Sequence, residues 1–295
     1  MQSSESSTES FQFVSALTAD APLFKLLQKN PPSWWNTLLA HKELYVEIRK
    51  DNYINVYYQG GSIARIIARK ESIRATAHPR YMGHHDITNR QFYSNTGTPI
   101  YTDCSEFMAN HLDEMLKNVE RAYSNKNNRG ETNPEKMSEK KIQGNLIIHD
   151  RKEYLDSELE YPISRAYGAN RFIRIDLIRV RDNRLQFVEL KRIQDNRLLN
   201  QDESAPEIIT QMKSYSDFIQ ENADRLLSYY KTLYKIKRDL GLPTPVIDEE
   251  SLTLDTSPVL MIKNLYTKET PQRRARLSRI ISHLQQNAIT YELCD

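Results

Sequence analysis

Glycine is scarce. Only 8 of the 295 residues are Gly, where ordinary usage of about 7% would give roughly 20. None falls into a Walker loop or a GxGxxG turn, which argues against nucleotide binding through a glycine-rich cradle. The two cysteines, Cys104 and Cys294, stand far apart and form no CxxC pair, so neither a zinc ribbon nor a disulfide framework is supported. The seven histidines include no HExxH. No apolar run approaches the roughly 18 residues of a membrane span, and the opening MQSSESSTES is polar and acidic rather than basic and then apolar. Charge of one sign is missing too: the formal net charge is +2, so any basic surface has to be local. These absences predict a soluble, cytoplasmic protein of a reducing compartment, without a membrane partner.

What is present is ordinary globular material. Charged residues make up 27% and the hydrophobic set 39%, enough for one large core or two modest ones. Residues 1–10, rich in Ser and Glu, read as a disordered tail. Helical stretches over 21–28 and around Trp34, Trp35 and Leu38 precede three short runs of β-branched and aromatic residues, 44–49, 53–58 and 62–67. Lys50-Asp-Asn52 and Gly60-Gly61 lie between these runs as turns, and the pattern predicts an antiparallel β-meander. A loop-like stretch over 78–102 follows, then a helix over 105–122. The polar, unperiodic run 123–137 is the best internal boundary. It separates an N-terminal α+β module, 11–130, from a second domain, 131–295. That domain reads as helix 135–149, strands 153–161, 171–180 and 185–193, and a long helical stretch 205–239 broken near Asn222. Strand 258–263, helix 270–286 and strand 288–293 complete it. The fold class is α/β (α+β), a mixed central sheet with flanking helices.

The chemistry concentrates in Arg171–Arg192, a hairpin with its turn at Arg181-Asp-Asn-Arg184. Side chains alternate along a strand, so Glu189 and Lys191 share one face while Val188 and Leu190 share the other. Asp176 lies on the neighbouring strand among Ile175, Leu177 and Ile178. Charged groups in strands otherwise built for burial are costly unless they pair or bind a metal. Two carboxylates and a lysine converging on a sheet are what Mg²⁺-assisted phosphodiester hydrolysis needs. Hard oxygen ligands hold the ion, and the lysine acts on the attacking water or offsets developing charge.

Ile-Asp176 on one strand and Glu189-Leu190-Lys191 on the next resemble the PD-(D/E)xK nuclease superfamily. Gln211-Met-Lys-Ser-Tyr215 on the following helix is similar to the QxxxY motif of its RecB-type branch; Gln and Tyr at i and i+4 share a helical face. Glu139, in Ser138-Glu-Lys-Lys-Ile-Gln-Gly, matches the helical glutamate that completes the acidic cluster in many members, better than Glu135 does. The resemblance covers roughly residues 135–265, under half of the chain, and departs at Ile175, where the motif has proline. It implies a restriction-endonuclease-like αβββαβ core and a Mg²⁺-dependent (or Mn²⁺-dependent) nuclease that hydrolyses DNA rather than RNA. Asp176, Glu189 and Glu139 would bind metal, Lys191 would act on the attacking water, and Gln211 and Tyr215 would position substrate or the metal-site loop. The N-terminal module would set substrate shape, form a homodimer or meet a partner in restriction, repair, mobile-element or defence systems.

Nine bases against four acids between Arg165 and Arg197 suggest phosphate contacts, which give affinity and register rather than sequence readout. Arg174, Arg192 and Arg197 are the candidate DNA contacts, with Arg174 on the Asp176 face and Arg179 and Arg181 on the other. A second basic cluster runs from Lys263 to Arg279. Asp156, Glu158 and Glu160 read as a solvated face, His84-His85-Asp86 as loop chemistry, and Trp34-Trp35 as core. Two other functions compete: a non-catalytic nucleic-acid-binding or assembly subunit that keeps the fold, and a metal-dependent hydrolase of small phosphoesters.

Overall fold

The computed structural model describes residues 12–124, 134–163, 171–200 and 205–294. The expected tail 1–10, Arg165 and most of the expected 123–137 boundary lie outside them. Among the described residues no helix is long and apolar enough to cross a membrane.

The N-terminal part begins with α1 (Pro22–Lys29) and α2 (Ser33–Ala40), which bury Phe24, Trp34, Trp35 and Leu38. They cover a five-stranded antiparallel meander in sequential order, β1 (Leu44–Arg49), β2 (Tyr53–Tyr58), β3 (Gly61–Arg69), β4 (Ser72–Ala77) and β5 (Thr102–Asp103). The sequence reading stops at the third strand. It misses β4, whose Ser-Ile-Arg-Ala-Thr-Ala carries too little apolar alternation, and the two-residue β5. The expected single helix over 105–122 is two, α3 (Ser105–Asn110) and α4 (Leu112–Ser124), because the chain leaves helical geometry at His111 (φ −139°).

The second part starts with α5 (Glu139–His149), shorter than expected because Ser138 caps it: its side chain accepts the Lys141 amide at 3.3 Å. Strands β6 (Tyr154–Ile163), β7 (Arg171–Arg181) and β8 (Arg184–Arg192) form an antiparallel unit. Asp182 and Asn183, both at positive φ, make its second turn, the backbone that a two-residue hairpin of matching twist requires. Helices α6 (Glu207–Glu221) and α7 (Ala223–Asp239) follow, divided at Asn222, then the short β9 (Thr253–Leu254), β10 (Val259–Lys263), α8 (Pro271–Gln286) and β11 (Tyr291–Cys294). The sheet is mixed, in the order β11-β10-β8-β7-β6. β8 and β11 run parallel to β10, and β9 pairs the start of β8. Helix α5 packs on one face through Ile142 and Ile147 against Leu177, Val188, Leu190 and Met261. Helices α6 and α8 cover the other, with Ile208 and Met212 against Leu260, Ile262 and Ile280.

Two features seat the meander on this sheet. The β2–β3 turn meets α5 so closely that a Cβ on Gly144 would stand 2.5 Å from the Gly60 amide nitrogen; one on Gly60 (φ +76°) would stand 1.7 Å from the Lys140 carbonyl oxygen. A helix-interior Gly at position 144 is explained by this contact. The second is a buried ionic seam. Lys237 of α7 donates to Glu47 of β1 at 2.6 Å and to the Leu155 carbonyl at 2.6 Å, and Ser157 donates to Glu47 at 3.2 Å. Arg49 reaches Asp156 at 3.3 Å. This corrects the reading of a solvated face for Asp156 and for the half-buried Glu158, whereas Glu160 is exposed as expected. Asp156 is buried, and its carboxyl is pushed up to about 7 by burial and by Glu47, against the pull of Arg49 and Lys237. The alternation argument fails because β6 is irregular: its register slips between Tyr154 and Asp156, and Glu158 has φ +54°.

Replacing an interior helical Gly by Ala ordinarily stabilises by about 0.5–1 kcal/mol. Gly144→Ala should do the reverse and lower the melting temperature, since the added methyl meets backbone. A thermal melt giving an unchanged or higher value would show that the turn and α5 are not in contact.

Candidate active site

The β7–β8 ladder is regular from the turn to Leu177↔Val188. In that register the next pair is Asp176 opposite Glu189, and there the Asp176 side chain intervenes: its Oδ2 accepts the Leu190 amide at 2.9 Å. A carboxylate thus replaces a backbone carbonyl as the partner of that amide. On the other side β8 stays paired, with Leu260 opposite Glu189 and Ile262 opposite Lys191. The two charged residues therefore come from a strand inside the sheet, flanked by apolar neighbours.

Lys191 Nζ is the centre of the cluster. Only 3% of its side chain is exposed. It donates to Glu189 Oε1 in a short contact and to the Leu190 carbonyl at 2.9 Å, with Glu139 Oε2 at 3.9 Å and Asp176 Oδ2 at 4.0 Å. Glu189 Oε1 also accepts from Gln211 Nε2 at 2.7 Å. Gln211 Nε2 lies 2.8 Å from the Tyr215 hydroxyl, which donates to the Arg174 carbonyl. Gln211 and Tyr215 thus tie α6 to both strands and fix one oxygen of Glu189. Its other oxygen, Oε2, is buried without a hydrogen-bond partner. Such an orphan is costly in a native structure and calls for an explanation.

Electrostatics record the same crowding. Burial, then Asp176, push the Glu189 carboxyl up to about 8, although Lys191 and Gln211 pull it down. Burial also raises Asp176 and Glu139, both against the pull of Lys191. Asp195 behaves oppositely: Arg197, through its backbone amide at 2.8 Å and guanidinium contacts at 2.7 and 3.0 Å, holds its carboxyl down at about 2 despite partial burial.

All six residues expected from the sequence (Asp176, Glu189, Lys191, Glu139, Gln211 and Tyr215) line one cleft of about 290 Å³, and Arg174 and Arg197 line it with them. Arg192 does not. It lies on the opposite face of β8 and donates to the Met137 carbonyl at 3.3 Å. Glu135, the weaker match, is elsewhere, bound to Arg273 and Thr267. The rest of the cleft wall is Lys140, Gln143 and Glu158. Gln143 was available from spacing, being at i+4 from Glu139 on one helical face; its Nε2 donates to the Asp176 carbonyl at 2.7 Å and so anchors β7 beside the cluster. Glu158 was hidden by the irregularity of β6.

The basic excess around the hairpin is a weaker phosphate signal than its composition suggests. Arg179 is fully buried on Gln186 and Glu292, and Arg181 pairs with Glu153 and Glu292. In the second cluster Arg273 is held by Glu135, while Arg276 donates to the Ile193 and Asp195 carbonyls at 3.0 and 2.8 Å.

Among the described residues no three His, Cys, Asp or Glu side chains stand as a ready-made metal cage; the three carboxylates are gathered round an ammonium instead. The oxygens of these carboxylates, among them the orphaned Glu189 Oε2, are hard donors of the type that divalent cations take. No family model matches the chain, and no curated protein and no solved structure is detectably similar to it.

In metal-free protein burial and Asp176 raise the Glu189 carboxyl to about 8, whereas in the unfolded chain it titrates near 4.5. Stability from this group therefore falls as pH rises between those values. The melting temperature of Glu189→Gln relative to wild type should climb from pH 5 to about pH 8 in EDTA and level off above it. A difference independent of pH would show that Glu189 is not crowded in this way.

Proposed function

We propose that the chain is a Mg²⁺-dependent nuclease, with DNA as substrate, that hydrolyses phosphodiester bonds. The observation that carries this reading is the convergence on one cleft of Asp176, Glu189, Glu139 and Lys191, with a buried carboxylate oxygen left unpartnered. Asp176, Glu189 and Glu139 would hold the cation. Bound there, it supplies positive charge to the scissile phosphate and its attacking water.

The chain's own groups do the rest. Lys191 can turn from Glu189 toward the attacking water and the charge that develops on the phosphate, an interaction strongest in the transition state. Gln211, held by Tyr215, fixes the orientation of Glu189. Arg174 and Arg197, 49% and 35% exposed at the side chain, would contact phosphates of the substrate. Water attacks phosphorus and gives up one proton to solvent, the phosphorus–oxygen bond to the leaving strand breaks, and the departing oxygen takes up a proton from solvent.

The test uses circular and linear DNA, single- and double-stranded, with Mg²⁺, Mn²⁺ or EDTA. Wild type should cut only with metal. Lys191→Ala should lose about 10²–10³ in rate, the usual cost of a lost transition-state donor. Gln211→Ala should lose about 10–100-fold, as expected for a group that orients a ligand. Cutting in EDTA, or cutting that survives Lys191→Ala, would sink this assignment. DNA binding without turnover under every condition would favour a non-catalytic subunit.

A further inference from the structure

Every cation that lines the catalytic cleft is already engaged by a carboxylate. Lys191 is on Glu189 and Arg197 is on Asp195. The other two, Lys140 and Arg174, share Glu158, whose Oε1 lies 3.8 and 3.1 Å from them. These two are the most exposed of the four, at 61% and 49% of their side chains, and so are the most accessible to an incoming phosphate.

Glu158 has the features of a placed residue. Its backbone occupies the left-handed region (φ +54°) in the irregular stretch of β6, a conformation that Cβ-bearing residues rarely adopt and that persists only where the surroundings impose it. Its second oxygen faces the meander: Oε2 accepts from the Tyr57 hydroxyl at 2.9 Å and lies 3.9 Å from Arg49. Glu158 also forms part of the wall of both the catalytic cleft and a neighbouring cleft of about 340 Å³ lined by Lys50, Tyr53, Asn55 and Tyr57. The carboxylate therefore has two sets of partners. One set belongs to the cleft and the other to the meander.

We infer that Glu158 is a phosphate mimic that occupies Lys140 and Arg174 in the free protein and yields them to the nucleic-acid backbone. This rests on the nuclease reading and adds to it a step of substrate entry. A phosphate on Lys140 and Arg174 displaces Glu158 Oε1, and the carboxylate keeps Tyr57 and Arg49 as partners, so it is not left buried and unpaired. The exchange swaps one anion for another. Polyanions that present two phosphates at the right spacing gain most, and single phosphates compete poorly with a carboxylate already in place. The N-terminal meander takes part as the structure that receives the released side chain.

The experiment is a salt titration of binding, in EDTA so that nothing is cut, of a fluorescein-labelled DNA duplex to the full chain. Glu158→Gln keeps an acceptor for the Tyr57 hydroxyl and removes the charge. It should bind several-fold tighter than wild type, because no carboxylate has to be displaced, while its plot of log affinity against log salt keeps the wild-type slope, the same two phosphates being neutralised in both. Lys140→Gln and Arg174→Gln leave the meander seam untouched and provide the independent arm: each should make the slope shallower, and Glu158→Gln added to the pair should change nothing. A residue with only a structural role would weaken binding when altered and leave the slope as it was. Equal affinity for wild type and Glu158→Gln overturns the inference, while Mg²⁺-dependent cutting by the same wild-type protein keeps the nuclease reading. Failure of every form to bind DNA overturns both, and binding without Mg²⁺-dependent cutting overturns the nuclease reading alone.

Discussion

A single buried ammonium organises this molecule's chemistry. Lys191 sits on an interior strand with Glu189 in contact and Asp176 and Glu139 at about 4 Å. An unpaired charge there would be prohibitive, and removing one member of a buried pair typically costs about 3–5 kcal/mol. Each carboxylate is therefore tied to the fold from outside the cluster. Asp176 accepts a β8 amide in place of a ladder bond, Glu189 is fixed by Gln211 from α6, and Glu139 rides on the first turn of a capped helix. Three separate elements meet because one cation requires it. The same crowding leaves Glu189 Oε2 without a partner and raises its carboxyl, the pattern expected of a site that sacrifices stability for chemistry.

The position of α5 is the second constraint, and it links the two halves of the chain. Its N-terminus carries Glu139, its buried Gln143 holds the Asp176 carbonyl, and its Gly144 admits the Gly60 turn of the meander. A shift of α5 would move the acidic cluster, the backbone of β7 and the seat of the meander together. The ionic seam of Glu47, Lys237, Arg49 and Asp156 opposes such a shift: buried charges are satisfied only in one arrangement, so the seam specifies the docking more than it strengthens it. The N-terminal meander is thus part of the support of the site.

Much of this was legible in the sequence, for identifiable reasons. Alternation in β8 separates Glu189 and Lys191 from Val188 and Leu190, and a two-residue turn fixes the register that puts Asp176 opposite Glu189. Helical spacing places Gln211 beside Tyr215. These are local rules, and they hold wherever the strands are regular. They fail at β6, where an irregular register buries Asp156 and turns Glu158 into the cleft. They fail also for the arginines, because a count of bases cannot see acids brought from elsewhere in the chain: Glu292 reaches Arg179 and Arg181 from the last strand, and Glu135 takes Arg273. Arg192 was misplaced for a third reason. It follows Lys191 directly, and in a strand a neighbour in sequence points to the opposite face.

Charge balance in the cleft follows from these facts taken together. Its lining holds four cations, Lys140, Arg174, Lys191 and Arg197, and four carboxylates, Glu139, Glu158, Asp176 and Glu189. With all eight ionised, such a cleft has little net field to draw in a polyanion, in keeping with the near-neutral chain. In the proposed reading, affinity for phosphate would come from rearrangement: a divalent cation on Asp176, Glu189 and Glu139 would release Lys191 from its role as their counter-ion. The ammonium would then be free to act at the phosphate, in the one state where metal and substrate are both present. In that reading, binding of metal and deployment of the lysine would thereby be coupled by electrostatics. A cleft lined only with bases would hold any polyanion tightly, reactive or not, and would lose this dependence.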